Sequence, residues 1–384
     1  MSIIEEWILA LLPPAISTCH SYVIYVSSFV LTSALAYHIS RWLLGSGSYK
    51  NLPLPPGPRG LPIVGNLLDI PTNFLAQNFE KMGKELGSDI LYLNAVGTKL
   101  VVLNSHQACC DLLERRSGIY SSRPRLPMLH DIIGWNKDFI LLPYGNLWKT
   151  CRRLFHQEFP LNDASQHESQ VLRVNRALLR DLLSDPEQYR DHLRQLTGGL
   201  IILVTYGLDV KGPNDPVVRT AERAVEMANH AATPGAFMVD ALPILKYVPA
   251  WFPGAGFKRK AREWNNLYVE MGTLPFGIAK KQMVRLVIPG TDTSRTALLS
   301  FILAMTLFPE IQRRAQAEID RVVGQGRLPE FQDRESLVYV EAVLREVQRW
   351  QPVVPAGVPH YIHVEDEYRG YRIPKNSTVI GNSW

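Results

Sequence analysis

The most apolar stretch in the second half of the chain runs from Ala297 to Leu307 and carries hydrophobic residues on nearly every side of a helix. This pattern predicts a helix that is buried all round. The turn before it is polar instead, with an acid and hydroxyls at Thr291, Asp292 and Thr293. Buried polar groups are costly unless they are partnered or functional. These residues therefore either cap the start of the helix or pass protons to a bound ligand.

A second apolar run, from Ser21 to Ile39, is uncharged when His38 is neutral and is about long enough to cross a bilayer core. Acidic residues precede it and basic residues follow it, so the positive-inside rule places the rest of the chain in the cytosol. A cleavable signal peptide would have a shorter apolar core. We therefore predict an N-terminal transmembrane helix within a membrane anchor, residues 1–45, with a buried core helix as the alternative.

The predicted anchor is followed by a proline-rich stretch, residues 46–66, which contains LPLPPGPRGLPIVGN. Proline fixes the backbone angle φ and has no N–H to donate, so we predict a stiff extended hinge. A ligand for a proline-binding module is the alternative. The remaining residues, 67–384, are predicted to form one domain.

Helical periodicity dominates this predicted domain. Alternating apolar positions predict a β-hairpin over Asp89–Asn104, turned at Gly97, and short strands over Val358–His363 and Tyr371–Val379. Helices are predicted over Leu147–Phe159, Arg173–Leu183, Tyr189–Gly207, Val217–Ala232, Lys258–Met283, Glu310–Val323 and Leu337–Trp350. The fold class is therefore mainly α with a small β-sheet region.

Two long proline-broken segments lie between these elements, Tyr120–Gly145 and Ala241–Phe257. Loops of such length are usually functional when they are not disordered. The apolar side chains of the first segment that look exposed are Leu126, Met128, Ile132, Trp135 and Phe139. The second segment has Trp251 and Phe252 at its tip, a composition that predicts contact with lipid or with an apolar pocket.

Composition supports a globular protein, because 46% hydrophobic residues suffice for a sizeable core. The net charge of +5 comes from 41 basic and 36 acidic residues without a dense basic block. This argues against a nucleic-acid partner and allows a mild attraction to anionic lipid. The four cysteines, Cys19, Cys109, Cys110 and Cys151, show no zinc-like spacing and no disulfide framework, which favours a reducing compartment.

Two side-chain pairs have helical spacing. Trp148 and Arg152 lie at i and i+4, on one face with Cys151, where an indole N–H and a guanidinium suit a carboxylate. A surface Trp–Arg stack is the alternative. Glu346 and Arg349 lie at i and i+3, a spacing that is usually a solvated ion pair of little consequence.

Several motifs occur in one order: the anchor, PPGPRGLPIVGN, WKTCR, PGTDTS, EVQR, PVVPAGVPH and GYRIPKNSTVIGNSW. Together they resemble a microsomal cytochrome P450 of the fungal secondary-metabolism type, from about residue 20 to Trp384. The resemblance implies the cytochrome P450 fold and a heme-thiolate monooxygenase that oxidises a small apolar metabolite, terpenoid or aromatic. It implies heme b as cofactor and electrons from NADPH through cytochrome P450 reductase. It also implies a single-pass protein of the endoplasmic reticulum membrane whose domain faces the cytosol.

The resemblance also assigns roles to residues near the heme. Gly290 would let a ligand approach its helix closely, and Asp292 and Thr293 would relay protons during oxygen activation. Trp148 and Arg152 would bond one heme propionate, and His360 the other.

Further roles follow from the same resemblance. Glu346 and Arg349 would form a buried structural clamp rather than a surface bridge. Trp135, Phe139 and Trp251 would face the substrate, because their segments correspond to the substrate-facing loops of the family.

The sequence departs from the family pattern at three places. Pro289 stands where the family has a small residue, so the helix is expected to start there. Met283 is followed directly by Val284, where the family has a further loop and helix. None of the four cysteines follows Cys151, so no axial ligand and no metal-binding residue are assigned. These departures lead us to expect a P450 domain that is incomplete at its C-terminus. The alternative function is therefore a non-catalytic fragment or a membrane-anchored ligand-binding remnant.

Overall fold

The computed structural model describes residues 52–62, 64–71, 73–159, 167–210, 212, 214–233, 235–280 and 291–384. Residues from Leu54 to Trp384 form one unit. The predicted anchor, the first residues of the hinge, Pro289 and Gly290 lie outside the described residues. The side chain of Asp292 is likewise not described.

Short β-strands form two sheets in the described part of the chain. The strands are β1 (Ile90–Ala95), β2 (Thr98–Leu103), β3 (His360–Ile362), β4 (Asp366–Tyr368), β5 (Tyr371–Ile373) and β6 (Ser377–Gly381). One sheet has the order β1-β2-β6-β3, in which only the β2–β6 pair is parallel, and β4 and β5 form a separate hairpin. The predicted hairpin over Asp89–Asn104 is thus confirmed. It turns at Val96 and Gly97, whose φ angles of 49° and 87° fit a two-residue turn with both φ values positive.

Helices make up most of the remaining described chain. They are α1 (Leu75–Leu86), α2 (His106–Cys109), α3 (Ser117–Tyr120), α4 (Asn146–Glu158), α5 (Glu168–Ser184), α6 (Tyr189–Tyr206), α7 (Pro216–Ala232), α8 (Met238–Ala241), α9 (Gly256–Lys280), α10 (Thr291–Leu307), α11 (Pro309–Val323) and α12 (Val338–Trp350). Two turns are π-helical, Cys110–Arg115 and Met128–Ile133. Short 3₁₀ turns are Leu67–Asp69, Trp135–Lys137, Pro186–Gln188, Pro243–Tyr247 and Phe331–Ser336. The predicted class, mainly α with a small β region, is confirmed.

The larger sheet is covered on both faces, because successive side chains of a strand point to opposite sides. Val101 and Leu103 of β2 pack with Leu112 and Tyr120 on one face. On the other face Val102 packs with Phe79 of α1, and the remaining members of that cluster are Leu91, Leu93, Leu100 and Ile380. This two-sided burial gives the sheet region a core of its own.

A second core joins the loop Tyr120–Gly145 to helices α7 and α9. The expectation that this loop exposes its apolar residues is wrong for Met128 and Trp135, which are 0% and 5% exposed. The reason is that α7 and α9 present small residues, among them Ala224, Ala228 and Ala261, between which the larger side chains fit. Hydrogen bonds support this packing, because Asn265 of α9 donates to the Ile133 carbonyl at 2.7 Å.

Helix α10 is not buried all round, so that prediction is wrong. It packs on α6 and α12, and Ala304 and Met305 are buried in those contacts. Leu303 and Leu307, on other faces, are 48% and 55% exposed. An apolar helix is buried only where neighbours exist to cover it, and the described elements cover part of α10.

No described helix is by itself long and apolar enough to cross a membrane. The consecutive segments Thr293–Leu307 and Pro309–Val323 meet the length and hydropathy requirement only when taken as a pair, with a bend of 107° between them.

Candidate functional site

The loop Tyr120–Gly145 is tied to strand β3 by hydrogen bonds. The backbone N–H of Tyr361 donates to the Ser122 carbonyl at 2.8 Å. Arg123 continues the connection, because its Nη1 donates to the carbonyls of Val358 at 2.8 Å and Pro359 at 3.0 Å. Its Nε donates to the carbonyl of Ile140, near the far end of the loop, at 3.2 Å. One side chain thus joins both ends of the loop to the start of β3.

Arg123 carries a charge that no described carboxylate neutralises. All three of its hydrogen-bond acceptors are carbonyl oxygens, and no ion pair joins it to a described acid. Burial lowers the pKa of Arg123, although guanidinium stays charged in proteins. A half-buried cation without a counter-ion is costly. The position therefore suits a bound anion.

His360 lies beside Arg123 at the start of β3. Its Nδ1 is 2.8 Å from the carbonyl oxygen of Tyr120. Burial, together with the nearby Arg123 charge, lowers the pKa of His360, so the imidazole is neutral at pH 7. A carbonyl oxygen can only accept a hydrogen bond, so Nδ1 carries the imidazole proton.

Tyr120 is itself held in place through its side chain. The Tyr120 hydroxyl donates to Oδ2 of Asp366 at 2.9 Å, and Arg116 donates to the same oxygen at 2.7 Å. Burial, together with the Asp366 carboxylate, raises the pKa of Tyr120. Because Asp366 begins strand β4, this cluster fixes the Tyr120 carbonyl relative to the strands that follow β3.

Trp148 and Arg152 meet on α4, as predicted. The Arg152 guanidinium lies over the Trp148 ring, 5.2 Å from its centroid, which is the stacking arrangement that the sequence left open as an alternative. Arg152 is exposed and forms no ion pair with a described acid. The Tyr144 ring is 5.2 Å from that of Trp148, and the Tyr144 N–H donates to Ser122 Oγ at 3.4 Å. Tyr144 thereby links α4 to the Arg123 loop.

These groups fit the propionates of the heme that the family resemblance implies. Arg123 is a half-buried cation without a described counter-ion, and Arg152 is a second cation for which the described residues provide no acid, linked to it through Tyr144. Carboxylates are the partners that arginine binds best. The sequence patterns did not indicate Arg123. Its contacts with residues 358 and 359 lie more than 200 positions along the chain, so no local pattern could have indicated them.

The residues predicted at the start of α10 are only partly described. Thr293 lies in the first turn of α10 and is exposed, whereas Gly290 and the Asp292 side chain are outside the described residues. The proton-relay pair is therefore described only at Thr293.

Glu346 and Arg349 form the predicted ion pair, with Nε–Oε2 and Nη2–Oε1 distances of 2.8 and 2.5 Å. The expectation of a buried clamp is wrong for this structure, because the two side chains are 61% and 72% exposed. Val343 and Val347 form the buried side of α12, and Glu346 and Arg349 lie on a different side.

The structure does not bring the three proposed substrate-facing aromatics into contact within the described chain. The Trp135 ring is 4.9 Å from Tyr268 of α9, and its buried indole N–H has no described partner. Phe139 packs 5.6 Å from Phe155 of α4. Trp251 is 79% exposed. Only Trp135 and Phe139 belong to the loop that also carries Arg123.

Comparison of the sequence with known proteins identifies a family. The cytochrome P450 family model matches residues 55–275 and 270–384. A cytochrome P450 monooxygenase of Armillaria gallica is 40% identical over 374 residues, which cover 88% of this chain and 74% of the relative. Another from Rhodocybe pseudopiperita is 38% identical, covering 92% of this chain and 74% of the relative.

A third relative, the tryptamine 4-monooxygenase of Psilocybe cyanescens, is 34% identical and covers 94% of this chain and 77% of its own length. The family match extends over nearly all of the described residues. On these findings, the chain belongs to the cytochrome P450 family of heme monooxygenases.

Proposed function

We propose that this cytochrome P450 oxidises a small apolar secondary metabolite, terpenoid or aromatic, with O₂ and with electrons from NADPH through cytochrome P450 reductase. The observation that carries the heme assignment within this chain is Arg123, a half-buried cation with no described counter-ion beside His360. The heme, when bound, supplies the activation of oxygen. The protein's own residues bind and orient it and deliver protons.

Two groups of residues would hold the propionates. Arg123 and His360, at the junction of the loop and β3, would bind one. Trp148 and Arg152 on α4 would bind the other. We also propose that the Thr293 hydroxyl, with Asp292 as the neighbouring acid, holds and passes protons at the start of α10. Gly290 would allow close approach of a ligand to that helix.

An apolar substrate is supported by the loop that carries Arg123. Phe139 packs on Phe155, and Trp135, which belongs to the same loop as Phe139, packs on Tyr268. Binding pockets for small molecules are mostly apolar and aromatic. The name of the Psilocybe relative, tryptamine 4-monooxygenase, favours an aromatic substrate over a terpenoid.

Membrane association is part of the proposal. The predicted anchor, Ser21 to Ile39, would make the protein single-pass in the endoplasmic reticulum, with its domain in the cytosol. A second contact with membrane lipid is supported by exposed apolar residues near Trp251, namely Met238, Leu242, Ile244, Tyr247 and Phe252.

An electron-donating partner would bind near α4. Lys149, Arg152 and Arg153 are exposed on this helix, and neither arginine forms an ion pair with a described acid. An acidic protein surface would complement this charge. The same helix carries the proposed propionate ligands, so electrons would arrive close to the heme edge.

The experiment uses the protein purified from its native membranes. We expect bound heme and oxygenated products from an aromatic or terpenoid panel with NADPH and reductase. A carbon monoxide difference spectrum tests the axial ligand, because the shifted Soret band of thiolate ligation would show that a cysteine binds the iron, although none is assigned here. Heme without the thiolate band, or ligand binding without turnover, would favour the alternative of a non-catalytic ligand-binding protein.

A pair of variants tests the residue that carries the proposal. Arg123→Leu is expected to lower the heme content, because it removes the cation that lies beside His360. Arg125→Leu is the matched control, since Arg125 is exposed and already paired with Asp131 at 2.7 Å. Equal heme content in the two variants would contradict the assignment of Arg123 to the heme.

A further inference from the structure

We propose that heme binding to this chain takes up one proton, at Nε2 of His360. The inference rests on the proposed function, because it requires a propionate beside Arg123 and His360. It concerns the protonation of this site before and after the anion arrives, which the family assignment does not determine.

The starting point is the tautomer of His360. A neutral imidazole has one N–H and one bare nitrogen. The Tyr120 carbonyl, 2.8 Å from Nδ1, has no hydrogen to give, so Nδ1 must be the N–H. Nε2 is therefore bare and can only accept. A carboxylate is also only an acceptor. The neutral His360 cannot donate to a propionate until Nε2 gains a proton.

The tautomer is fixed because the Tyr120 carbonyl is fixed. The Tyr120 hydroxyl and Arg116 both donate to Asp366, and the adjoining backbone of Ser122 accepts from Tyr361 on β3. The acceptor facing Nδ1 therefore comes from a segment that is anchored by both its side chain and its backbone.

The charges around His360 explain why it is neutral before the anion binds. Burial lowers its pKa most, and the Arg123 guanidinium lowers it further, whereas the bond to Tyr120 acts in the opposite sense. The strand partner facing His360 across the sheet is Val379, which is apolar. Asp366, on the strand that follows, already accepts hydrogen bonds from Tyr120 and Arg116.

A propionate reverses this balance. It neutralises Arg123, which removes the repulsion, and it places a negative charge beside the imidazole, which favours the protonated form. The pKa of His360 should therefore be higher with heme than without it. By linkage, the protein should bind heme most tightly at a pH below the pKa that His360 has without heme. The affinity should fall as the pH rises through the higher pKa that His360 has with heme bound.

The test measures proton uptake directly. The heme-free protein, expressed under heme limitation, is titrated with heme by calorimetry in two buffers of different ionisation enthalpy and by Soret absorbance between about pH 5.5 and 8.5. We expect an uptake approaching one proton per heme. Over the window between the two pKa values we expect up to about a tenfold loss of affinity per pH unit.

Two variants assign the proton to its residue. His360→Gln offers an amide N–H that does not titrate, so heme should still bind while the uptake and its pH dependence disappear. His363→Gln is the matched control, because His363 lies just beyond β3, is exposed and bonds Ser122 Oγ at 3.0 Å. It should keep the native pH dependence.

The outcomes separate the two proposals. Heme uptake with no proton uptake by the unmodified protein would overturn this inference alone, and so would a pH dependence that His360→Gln leaves unchanged. Absence of heme uptake at every pH would overturn both this inference and the heme site. The measurement on the unmodified protein decides the proton count even where a variant fails to fold.

Discussion

The sheet strands and helix α10, which belongs to the α10–α12 region (residues 291–350), are both apolar in sequence but differ in how completely they are covered. In the sheet, Val101, Leu103 and Ile362 are completely buried, because helices and loops cover both faces. In α10, Leu303 and Leu307 are about half exposed, because the described neighbours contact only part of the helix. Burial thus depends on how many neighbours an element has, and its own apolar content does not determine it.

The two regions also differ in how their charges are satisfied. Around the sheet, half-buried charges are paired, as in Arg116–Asp366 and Arg372–Glu365. Arg123, at the rim of this region, has no described counter-ion. On α12, by contrast, Glu346 and Arg349 are paired although they are exposed. A half-buried charged side chain without a counter-ion therefore indicates a binding site better than a charged side chain alone does.

The largest expected effect tests the difference in side-chain burial between the sheet and α10. Ile362→Ala removes most of a completely buried side chain from the sheet core and should lower the free energy of unfolding by about 2 to 5 kcal/mol. Leu307→Ala, the matched change on α10, should lower it by about 1 kcal/mol or less, since that side chain is half exposed. Urea unfolding measures both. Similar losses would mean that α10 is as well covered as the sheet.

The next effect tests the pairing of charges around the sheet. Asp366→Ala leaves the buried Tyr120 hydroxyl without its acceptor and Arg116 without its counter-ion, so the free energy of unfolding should fall by about 1 to 3 kcal/mol. Asp209→Ala is the control, because the Arg173–Asp209 pair is exposed on both sides. Its urea midpoint should not change measurably. Equal effects of the two variants would remove the distinction between half-buried and exposed pairs.

A smaller effect, on the order of 1 kcal/mol, concerns Asp240, which accepts the Met128 N–H at 2.8 Å. Burial raises the pKa of Asp240 from 3.8 to about 6. A carboxyl group whose pKa is raised by folding resists ionisation in the folded state. The native state should therefore lose stability as the pH rises from about 4 to 6, and the loss should persist above that window.

Asp240→Asn tests this pH dependence. The amide keeps an oxygen for Met128 but cannot ionise, so the variant should melt above the native protein at pH 7 and at the same temperature below pH 4. Asp191→Asn, at an exposed position near the start of α6, is the control for the Asp-to-Asn change itself. A constant difference between Asp240→Asn and the native protein at all pH values would contradict the assignment.

The sequence could predict features that depend on nearby residues. The hairpin over Asp89–Asn104, the Trp148–Arg152 stack and the Glu346–Arg349 pair all join residues close in the chain, and the structure confirms each contact. Motif order also identified the family. Such features need no knowledge of long-range packing.

The features that the sequence could not predict depend on distant residues. Arg123 reaches Val358 across 235 positions, and Trp135 is buried by helices that lie further along the chain. Periodicity reports one element at a time, so it could neither find these partners nor show that α10 is only partly covered. The roles of Gly290 and Asp292 stay predictions.

The smallest expected effect concerns Glu346 and Arg349, where the family resemblance and the structure disagree. Both side chains are mostly exposed, so Glu346→Ala should leave the melting temperature and the urea midpoint unchanged within error. Arg349→Ala should behave in the same way, because neither partner is left buried without the other. A loss as large as that of Asp366→Ala would mean that the pair is buried in the protein, as the resemblance implies. The α10–α12 region would then be covered as completely as the sheet.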